Sequence, residues 1–153
     1  MKNNILKFES PKKKKVKLPV YSSPVSAGFP IYVQDHEYIE ELEIINAVAV
    51  LNADESVILK ISGNSMQPDF NDGDAVIVDT LLPKQLPPNG LNNKVVIARV
   101  NGAFTIKTLK RTSKGILLVP NNPEYKEIRV SPYDDFEVFG VVLYTIKRVL
   151  DKV

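Results

Sequence analysis

The strongest constraint on the fold is a series of short β-branched segments that begins near residue 57. Segments rich in valine, isoleucine and threonine alternate with stretches that contain glycine, proline, asparagine or aspartate, and they occupy residues 57–61, 75–78, 95–100, 104–109, 116–119 and 136–146. This spacing is typical of antiparallel strands joined by turns. Asn101-Gly102, between two of these segments, has the residue types preferred in a two-residue hairpin turn. We therefore predict a mostly β fold.

Length and composition limit the chemistry that this fold can carry. A chain of 153 residues, 44% of them hydrophobic, can bury a core without disulfides or metals. The absence of cysteine excludes thiolate catalysis and cysteine-ligated zinc, and the lone histidine, His36, excludes any site that needs two imidazoles. We expect no cofactor and no metal. The sequence shows neither a membrane-length apolar segment nor a signal peptide, which predicts a soluble, cytoplasmic protein.

The N-terminal residues differ sharply in charge from the rest of the chain. Residues 1–20 contain seven lysines and one glutamate, and five of these lysines fall within residues 12–17. Like charges repel one another and prolines stand at positions 11, 19, 24 and 30, so we expect residues 11–30 to be extended and largely free of regular structure. Such a flexible basic arm is compatible with a solvated tail, a phosphate-binding arm or a nuclear-import-like cluster.

Residues 38–51 are ambiguous in secondary structure. Leu42, Ile45 and Ala49 have helix-like spacing, and the segment opens with acidic residues, as many helices do. The same residues could equally continue into a strand. The sequence therefore predicts either a short helix near the start of this segment or another strand.

Residues 61–79 contain the best candidate for a nucleophile. A predicted strand ends at Ser62-Gly63, Ser65 follows in the turn, and Pro68 precedes the next predicted strand. A serine at such a turn can present its hydroxyl among free backbone N–H groups, which are the donors that a tetrahedral oxyanion requires. Turns of this composition are common without any catalytic role, so the loop needs a base nearby before it indicates an enzyme.

Two kinds of base are available to Ser65. His36 would have to serve a histidine-based triad, but it lies in a polar stretch and is better explained as an exposed histidine. A lysine within an apolar strand is the alternative, because burial disfavours the ammonium form and leaves a neutral amine that can accept the serine proton. Lys107 fits this description best, since strand alternation places it on one face with Thr105 and Leu109. Lys60 is a weaker rival.

Several motifs, in this order, resemble the LexA/UmuD family of self-cleaving Ser-Lys proteins across residues 26–143. The nucleophile motif is matched by Ser62-Gly63-Asn64-Ser65-Met66-x-Pro68, followed by Gly73-Asp74-x-Val76-x-Val78-Asp79 and the base strand Phe104-Thr105-Ile106-Lys107-x-Leu109. Leu118-x-Pro120-x-Asn122-x-x-Tyr125 and Val138-Phe139-Gly140-Val141-Val142 match the last two segments. The resemblance implies a LexA/signal-peptidase-like β-rich domain with a short helix, in which Ser65 is the nucleophile, Lys107 is the general base, and Gly63 and Met66 support the turn and the oxyanion. Residues 80–93 look longer than the family's corresponding loop.

The resemblance also implies a substrate, because members of this family cut their own chain at an Ala-Gly or Cys-Gly bond before the nucleophile. Ala27-Gly28 is the one Ala-Gly dipeptide here, and prolines flank it. A small alanine can enter a tight pocket, and glycine lets the backbone approach the serine closely. We expect a flexible basic arm, residues 1–27, to be removed from a Ser-Lys peptidase and dimerisation domain, residues 28–153.

The residues before Ala27 suggest which branch of the family is nearer. A LexA-like repressor carries a helix-turn-helix module of about 60 to 70 residues there, whereas this sequence has lysine- and proline-rich residues. The resemblance is therefore closer to UmuD, a homodimeric accessory subunit of an error-prone DNA polymerase in the SOS response. It implies a UmuC-like polymerase partner and stimulation of cleavage by a RecA filament on single-stranded DNA, without sequence-specific DNA binding by the chain itself.

Three alternatives remain open at this point. The chain could be a signal-peptidase-like enzyme, against which the missing membrane span argues. It could be an interaction protein that keeps the fold and never cuts itself. It could also be a LexA-like or phage-type transcriptional regulator, or an antirepressor, that lacks a helix-turn-helix and works through its lysine arm.

Overall fold

The structure is a mostly β fold built around one large sheet, as the sequence predicts. The computed structural model describes residues 15–21, 25–26, 31–32, 38–45 and 52–146. The strands are β1 (Lys15–Tyr21), β2 (Val25–Ser26), β3 (Ile31–Tyr32), β4 (Tyr38–Ile45), β5 (Ser56–Ser62), β6 (Ala75–Asp79), β7 (Val95–Val100), β8 (Ala103–Thr112), β9 (Gly115–Val119), β10 (Ile128–Arg129) and β11 (Phe136–Ile146). A 3-10 turn (Ala53–Glu55) precedes β5, and the short helix α1 (Leu82–Gln85) follows β6.

The sheet has the order β10-β9-β8-β7-β11-β6-β5-β1-β4, with β2 and β3 attached beside this path. Neighbours on the path pair antiparallel, apart from the parallel pair of β1 and β5. The predicted hairpin is confirmed: Val100 pairs with Ala103, and Asn101 and Gly102 have φ angles of 51° and 84°. Two positive φ values are what the favoured two-residue turn requires.

Of the two alternatives predicted for residues 38–51, the strand is the one observed near the start, since Tyr38–Ile45 forms β4. This segment pairs with β1 along its length, and Lys17 stands opposite Glu43 in that register. Pairing with a distant strand thus overrides the local helical spacing. The short helix lies instead within residues 80–93, where the sequence indicated only a longer loop. There the Asp79 carboxylate accepts hydrogen bonds from the N–H groups of Leu81 and Leu82 at 2.9 and 2.8 Å, and Pro83 fits the first turn.

The expectation that residues 11–30 are largely free of regular structure is wrong for Lys15–Tyr21, which forms β1. Leu18 is fully buried and Val20 is 2% exposed, whereas Lys17, just before them, is exposed. Alternation along a strand points these two apolar side chains toward the core, although lysines and prolines surround them in the sequence. Lys12, Lys13 and Lys14 lie outside the described residues.

The core consists of three clusters of buried side chains that fix the positions of β5, β6 and β8. One cluster lies under the loop that follows β5 and contains Leu59, Ile61, Met66, Phe70, Val76, Val78, Ile97 and Ile106. A second contains Val96, Ala98, Leu109, Leu118 and Val141. The third joins Leu18 and Val20 of β1 to Ile58 and Ile77. In the described part of the chain, no helix is long and apolar enough to cross a membrane.

Gly140 offers a direct test of how tightly the central strands pack. It lies where the register of β11 against β7 shifts, and a Cβ atom there would stand 2.4 Å from Val78 Cγ1 and 3.0 Å from the Asp79 carbonyl oxygen. We expect Gly140→Ala to lower the free energy of unfolding by roughly 1–3 kcal/mol, measured by urea denaturation. Because Val78→Ala removes the clashing methyl group, the double variant should lose less stability than the two single losses combined. Strictly additive losses would contradict this packing.

Candidate active site

Ser65 lies in a closed loop between β5 and β6. The Ile61 N–H donates to the Asp74 carbonyl oxygen, and the Gly73 N–H donates to the Ile61 carbonyl oxygen, both at 2.8 Å. These two bonds continue the pairing of the strands and hold the ends of the loop together. Gly63 turns the chain away from β5 with a φ of 95°, a conformation that glycine adopts without steric cost.

Buried side chains on either side of the turn anchor Ser65. Met66 is fully buried and Phe70 is 9% exposed, and both pack into the cluster under the loop. The Phe70 N–H donates to the Met66 carbonyl oxygen at 3.0 Å, and this bond closes a turn directly after Ser65. Met66 therefore holds the backbone on the C-terminal side of Ser65. Ser65 itself is fully buried.

Lys107 reaches this loop from β8. Thr105, Lys107 and Leu109 alternate on one face of the strand, as predicted, and each is at most 2% exposed. Ile106, on the opposite face, is fully buried as well. Lys107 is thus a buried lysine, whereas the rival candidate Lys60, on β5, is exposed.

The Lys107 amine lies within hydrogen-bonding distance of the Ser65 hydroxyl. Nζ is 3.0 Å from Ser65 Oγ, 2.9 Å from Thr105 Oγ1 and 3.0 Å from the Ile106 carbonyl oxygen. A neutral amine has two N–H donors and one lone pair. If the N–H groups donate to Thr105 and Ile106, the lone pair faces the serine hydroxyl, which can donate to it. Thr105 and the Ile106 carbonyl therefore orient the amine as a base toward Ser65.

Burial lowers the pKa of Lys107 from 10.5 to about 8, because the apolar surroundings disfavour the ammonium form. At pH 7 about a tenth of the chains would carry the neutral amine. A lysine in water would be neutral in well under one chain in a thousand at that pH. An amine with this pKa can accept a proton near neutral pH.

The same pKa shift predicts how stability varies with pH. Since the unfolded chain binds the Lys107 proton more tightly than the folded chain, burial of the ammonium costs stability below about pH 8, and the cost disappears as the pH approaches 10.5. Relative to Lys107→Met, the wild-type chain should gain about 3 kcal/mol of unfolding free energy between pH 7 and 10.5. Urea denaturation of both chains at the two pH values measures the difference, and a difference independent of pH would contradict the shift.

A pair of asparagines joins the Ser65 loop to the base strand. The Asn121 amide donates to Asp69 Oδ2 at 2.9 Å and accepts from Thr108 Oγ1 at 2.8 Å. The Asn122 backbone N–H donates to the Ser65 carbonyl oxygen at 2.8 Å, and its side chain donates to the Asn64 carbonyl oxygen at 3.1 Å. The sequence motifs include Thr105 and Asn122 without giving them a role, and Asn121 falls at a position that the motif leaves open.

The backbone N–H groups at the turn differ in whether they already donate a hydrogen bond. The Gly63 N–H donates to Asp72 Oδ1 at 2.9 Å, so this amide is engaged in holding the loop. Within the described part of the chain, the N–H groups of Ser65 and Met66 have no hydrogen-bond partner. The Asn64 carbonyl points toward Asn122, and in a trans peptide the Ser65 N–H points the opposite way. The Ser65 amide is thus available to an oxyanion.

A cavity of about 530 Å³ opens beside the two side chains. Its walls are formed by Ser65, Lys107 and residues 124–128. Tyr125 is 36% exposed at this site and Ile128 is half-buried, so the cavity offers apolar surface to an incoming chain. Residues of a substrate can therefore approach Ser65 from this side.

Two short strands bring the N-terminal segment to the site. Ser26 of β2 pairs in parallel register with both Ser62, at the end of β5, and Thr105 of β8. Ile31 of β3 pairs antiparallel with Phe104. Ala27 and Gly28 fall between these strands but lie outside the described residues, as does His36. The residue before Ala27 is therefore next to β5, which leads into the Ser65 loop, and next to β8, which carries Lys107.

The family model and the individual relatives that match this chain agree with one another. A model of the peptidase S24-like family matches residues 19–143. The LexA repressor of Acidovorax sp. (strain JS42) is 32% identical over 127 residues, which are 82% of this chain and 53% of that protein. The LexA repressor of Oleidesulfovibrio alaskensis is 34% identical over 129 residues, 84% of this chain and 58% of that protein. The chain thus spans about half the length of the curated relatives it matches.

Proposed function

The chain belongs to the peptidase S24-like family, and we propose that it is a serine endopeptidase that cuts its own Ala27-Gly28 bond with a Ser65-Lys107 dyad. The observation that carries this proposal is the 3.0 Å distance between Ser65 Oγ and the Nζ atom of a buried lysine. Ser-Lys pairs are a known variant of the serine-protease triad. Lys60 and His36 lack any comparable support, because Lys60 is exposed and His36 lies outside the described residues.

In the first half of the reaction, Ser65 Oγ attacks the carbonyl carbon of Ala27 while neutral Lys107 takes the hydroxyl proton. The Ser65 N–H stabilises the negative oxygen of the tetrahedral intermediate. As the intermediate collapses, the bond between the Ala27 carbonyl carbon and the Gly28 nitrogen breaks. Lys107 returns its proton to that nitrogen, which leaves as the amine of Gly28. Ala27 then remains bound to Ser65 as an ester.

In the second half, Lys107 takes a proton from water, and the resulting hydroxide attacks the ester carbonyl. Collapse of this intermediate returns the proton from Lys107 to Ser65 Oγ and frees Ala27 as a carboxylic acid, which loses its own proton to solvent. The net reaction is hydrolysis of one peptide bond. Thr105 and the Ile106 carbonyl, which lie 2.9 and 3.0 Å from Nζ, keep the amine oriented through both halves.

The choice of Ala27-Gly28 rests on the pairing of β2. Ser26, the residue before Ala27, pairs with Ser62 at the end of β5 and with Thr105 on the strand that carries Lys107. Small residues at both positions let the backbone approach Ser65. We expect Gly28→Val to leave the chain intact, and Ser23→Ala, in the same segment, to leave cleavage unchanged. Mass measurement of the fragments decides, and a cut at any other bond would contradict this choice.

For its biological role, we propose an UmuD-like function in which the processed chain, as a homodimer, is an accessory subunit of an error-prone, UmuC-like DNA polymerase in the SOS response. A RecA filament on single-stranded DNA would stimulate the cut. The support is the composition of residues 1–26, whose lysines and prolines do not suit the helices of a DNA-reading module. The assignment to this branch rests on family resemblance.

A second candidate role is favoured by the relatives, which are named LexA repressors. In that role self-cleavage would end binding to specific DNA sites. The two roles differ in one experiment with the cut and uncut chains. A polymerase subunit should bind a UmuC-like polymerase more tightly after the cut and show only weak, salt-sensitive contact with DNA. A repressor should discriminate between DNA sequences and lose that discrimination on cleavage.

A further inference from the structure

Strand β1 is an internal strand of the sheet, although it precedes the proposed cut. It lies between β5 and β4 in the strand order. Its register with β4 runs antiparallel from Lys15 opposite Ile45 to Tyr21 opposite Tyr38, and on its other side Val20 pairs in parallel with Ile58 of β5. A cut after Ala27 therefore breaks the covalent link between β1 and the two strands beside it. The cut itself does not move β1 out of its place between them.

The side chains of β1 help to form the core. Leu18 and Val20 are 0% and 2% exposed, and they form one buried cluster with Ile58 and Ile77. Ile58 and Ile77 belong to the strands that lead into and out of the Ser65 loop. Departure of β1 would expose this apolar surface next to the strands that hold the nucleophile. Burial of such surface favours retention of the strand.

Strand β4 depends on β1 for its place in the sheet. Among the described residues, the one strand that pairs with Tyr38–Ile45 is β1. β4 belongs to the larger cleavage product, whereas β1 belongs to the smaller one. The charges also favour association, since β4 carries Glu40, Glu41 and Glu43 and the smaller product carries seven lysines.

We propose that the space between β5 and β4 is a strand-binding groove, that residues 15–21 of the cut N-terminal fragment stay bound in it after cleavage, and that they can then be exchanged. This inference rests on the proposed self-cleavage and adds to it the fate of the arm. Before the cut, the tether keeps the strand at a high effective concentration. After the cut, the same strand is a separate ligand that dilution or a competing strand can displace. Cleavage therefore makes release of the lysine-rich arm possible without causing it.

The test cuts the chain without using Ser65. In a Ser65→Ala chain, residues 22–24 are replaced by the recognition sequence of a site-specific protease, and the full-length protein is cut and examined by size exclusion and native mass spectrometry at about 10 μM. The proposal predicts that both fragments co-elute as one complex of nearly the full 17.1 kDa mass per chain. Separation of the fragments at that concentration overturns it, whether or not the larger fragment stays folded.

Exchange and matched variants complete the test. A fluorescent synthetic peptide of residues 1–27 should replace the resident fragment in the cut protein, and Leu18→Asp in that peptide should weaken binding at least about tenfold. Lys17→Arg keeps the charge at an exposed position of the same strand and should bind like the parent peptide. Equal binding of the Leu18→Asp peptide would overturn the groove. Since the protease makes the cut, failure of self-cleavage and failure of fragment retention give different results.

Discussion

Replacement of Lys107 by methionine is expected to abolish cleavage of the Ala27-Gly28 bond, and replacement of Ser65 by alanine is expected to do the same. Methionine keeps the buried stem of the lysine and removes the amine that lies 3.0 Å from Ser65 Oγ. Without a base the hydroxyl is a weak nucleophile, and without the hydroxyl the amine has nothing to activate. Each rate should fall by about a thousandfold or more, as measured by appearance of the two fragments.

Three further variants sharpen this prediction. Lys107→Arg keeps a positive charge that arginine does not lose even in alkaline solution, so this variant should remain inactive there. Lys60→Met removes an exposed lysine from β5 and should cut at the wild-type rate. The double variant Ser65→Ala/Lys107→Met should be no worse than either single variant, because the two groups act as a unit. Cleavage at the wild-type rate by Ser65→Ala would contradict the dyad, whereas a wild-type chain that is never cut would leave the non-cleaving interaction protein as the better account.

The cleavage rate is expected to rise about a hundredfold between pH 6 and pH 9. The reactive form is the neutral amine of Lys107, whose pKa is lowered to about 8 by burial. About 1% of the chains carry that form at pH 6, half at pH 8 and about nine-tenths at pH 9. The rate should therefore increase about tenfold per pH unit below pH 7 and become constant above about pH 9.

The pH at which the cleavage rate reaches half of its maximum, the midpoint, distinguishes the possible bases. A midpoint near 8 supports the buried lysine, whereas a midpoint near 6.5, the ordinary pKa of histidine, would indicate His36 instead. Circular dichroism at each pH controls for unfolding. A rate that falls as the pH rises would contradict a base-catalysed cut altogether.

The strands from β5 onward could be predicted because their pattern is local. Each alternates β-branched residues over a few positions, and the Asn101-Gly102 turn between β7 and β8 has the chemistry of a single hairpin type. Strand β1 escaped prediction, and a strand at β4 was only one of two alternatives, because β1 is held by pairing with β4 and β5 and β4 by pairing with β1. Lysines, prolines and glutamates dominate their local composition, and only the folded sheet shows that Leu18 and Val20 are buried.

Only part of the candidate site could be predicted from the sequence. Spacing alone indicated that Lys107 lies in an apolar strand, but its pairing with Ser65, 42 residues away, came from the family resemblance. The side chains of Asn121 and Asn122 donate hydrogen bonds to residues 52 and 58 positions away. In the sequence, both look like ordinary turn residues. Long-range hydrogen bonds of this kind leave no local signal.

The most direct test of the dyad is a time course of intact mass at about pH 9.5 for the wild-type chain, Ser65→Ala and Lys107→Met. The account predicts that the wild-type chain yields two products that meet between Ala27 and Gly28 and that both variants stay whole. If the wild-type chain stays whole, the time course is repeated with RecA, single-stranded DNA and nucleotide. A wild-type chain that remains uncut under both conditions, or a Ser65→Ala chain that is cut at the same bond, would contradict it.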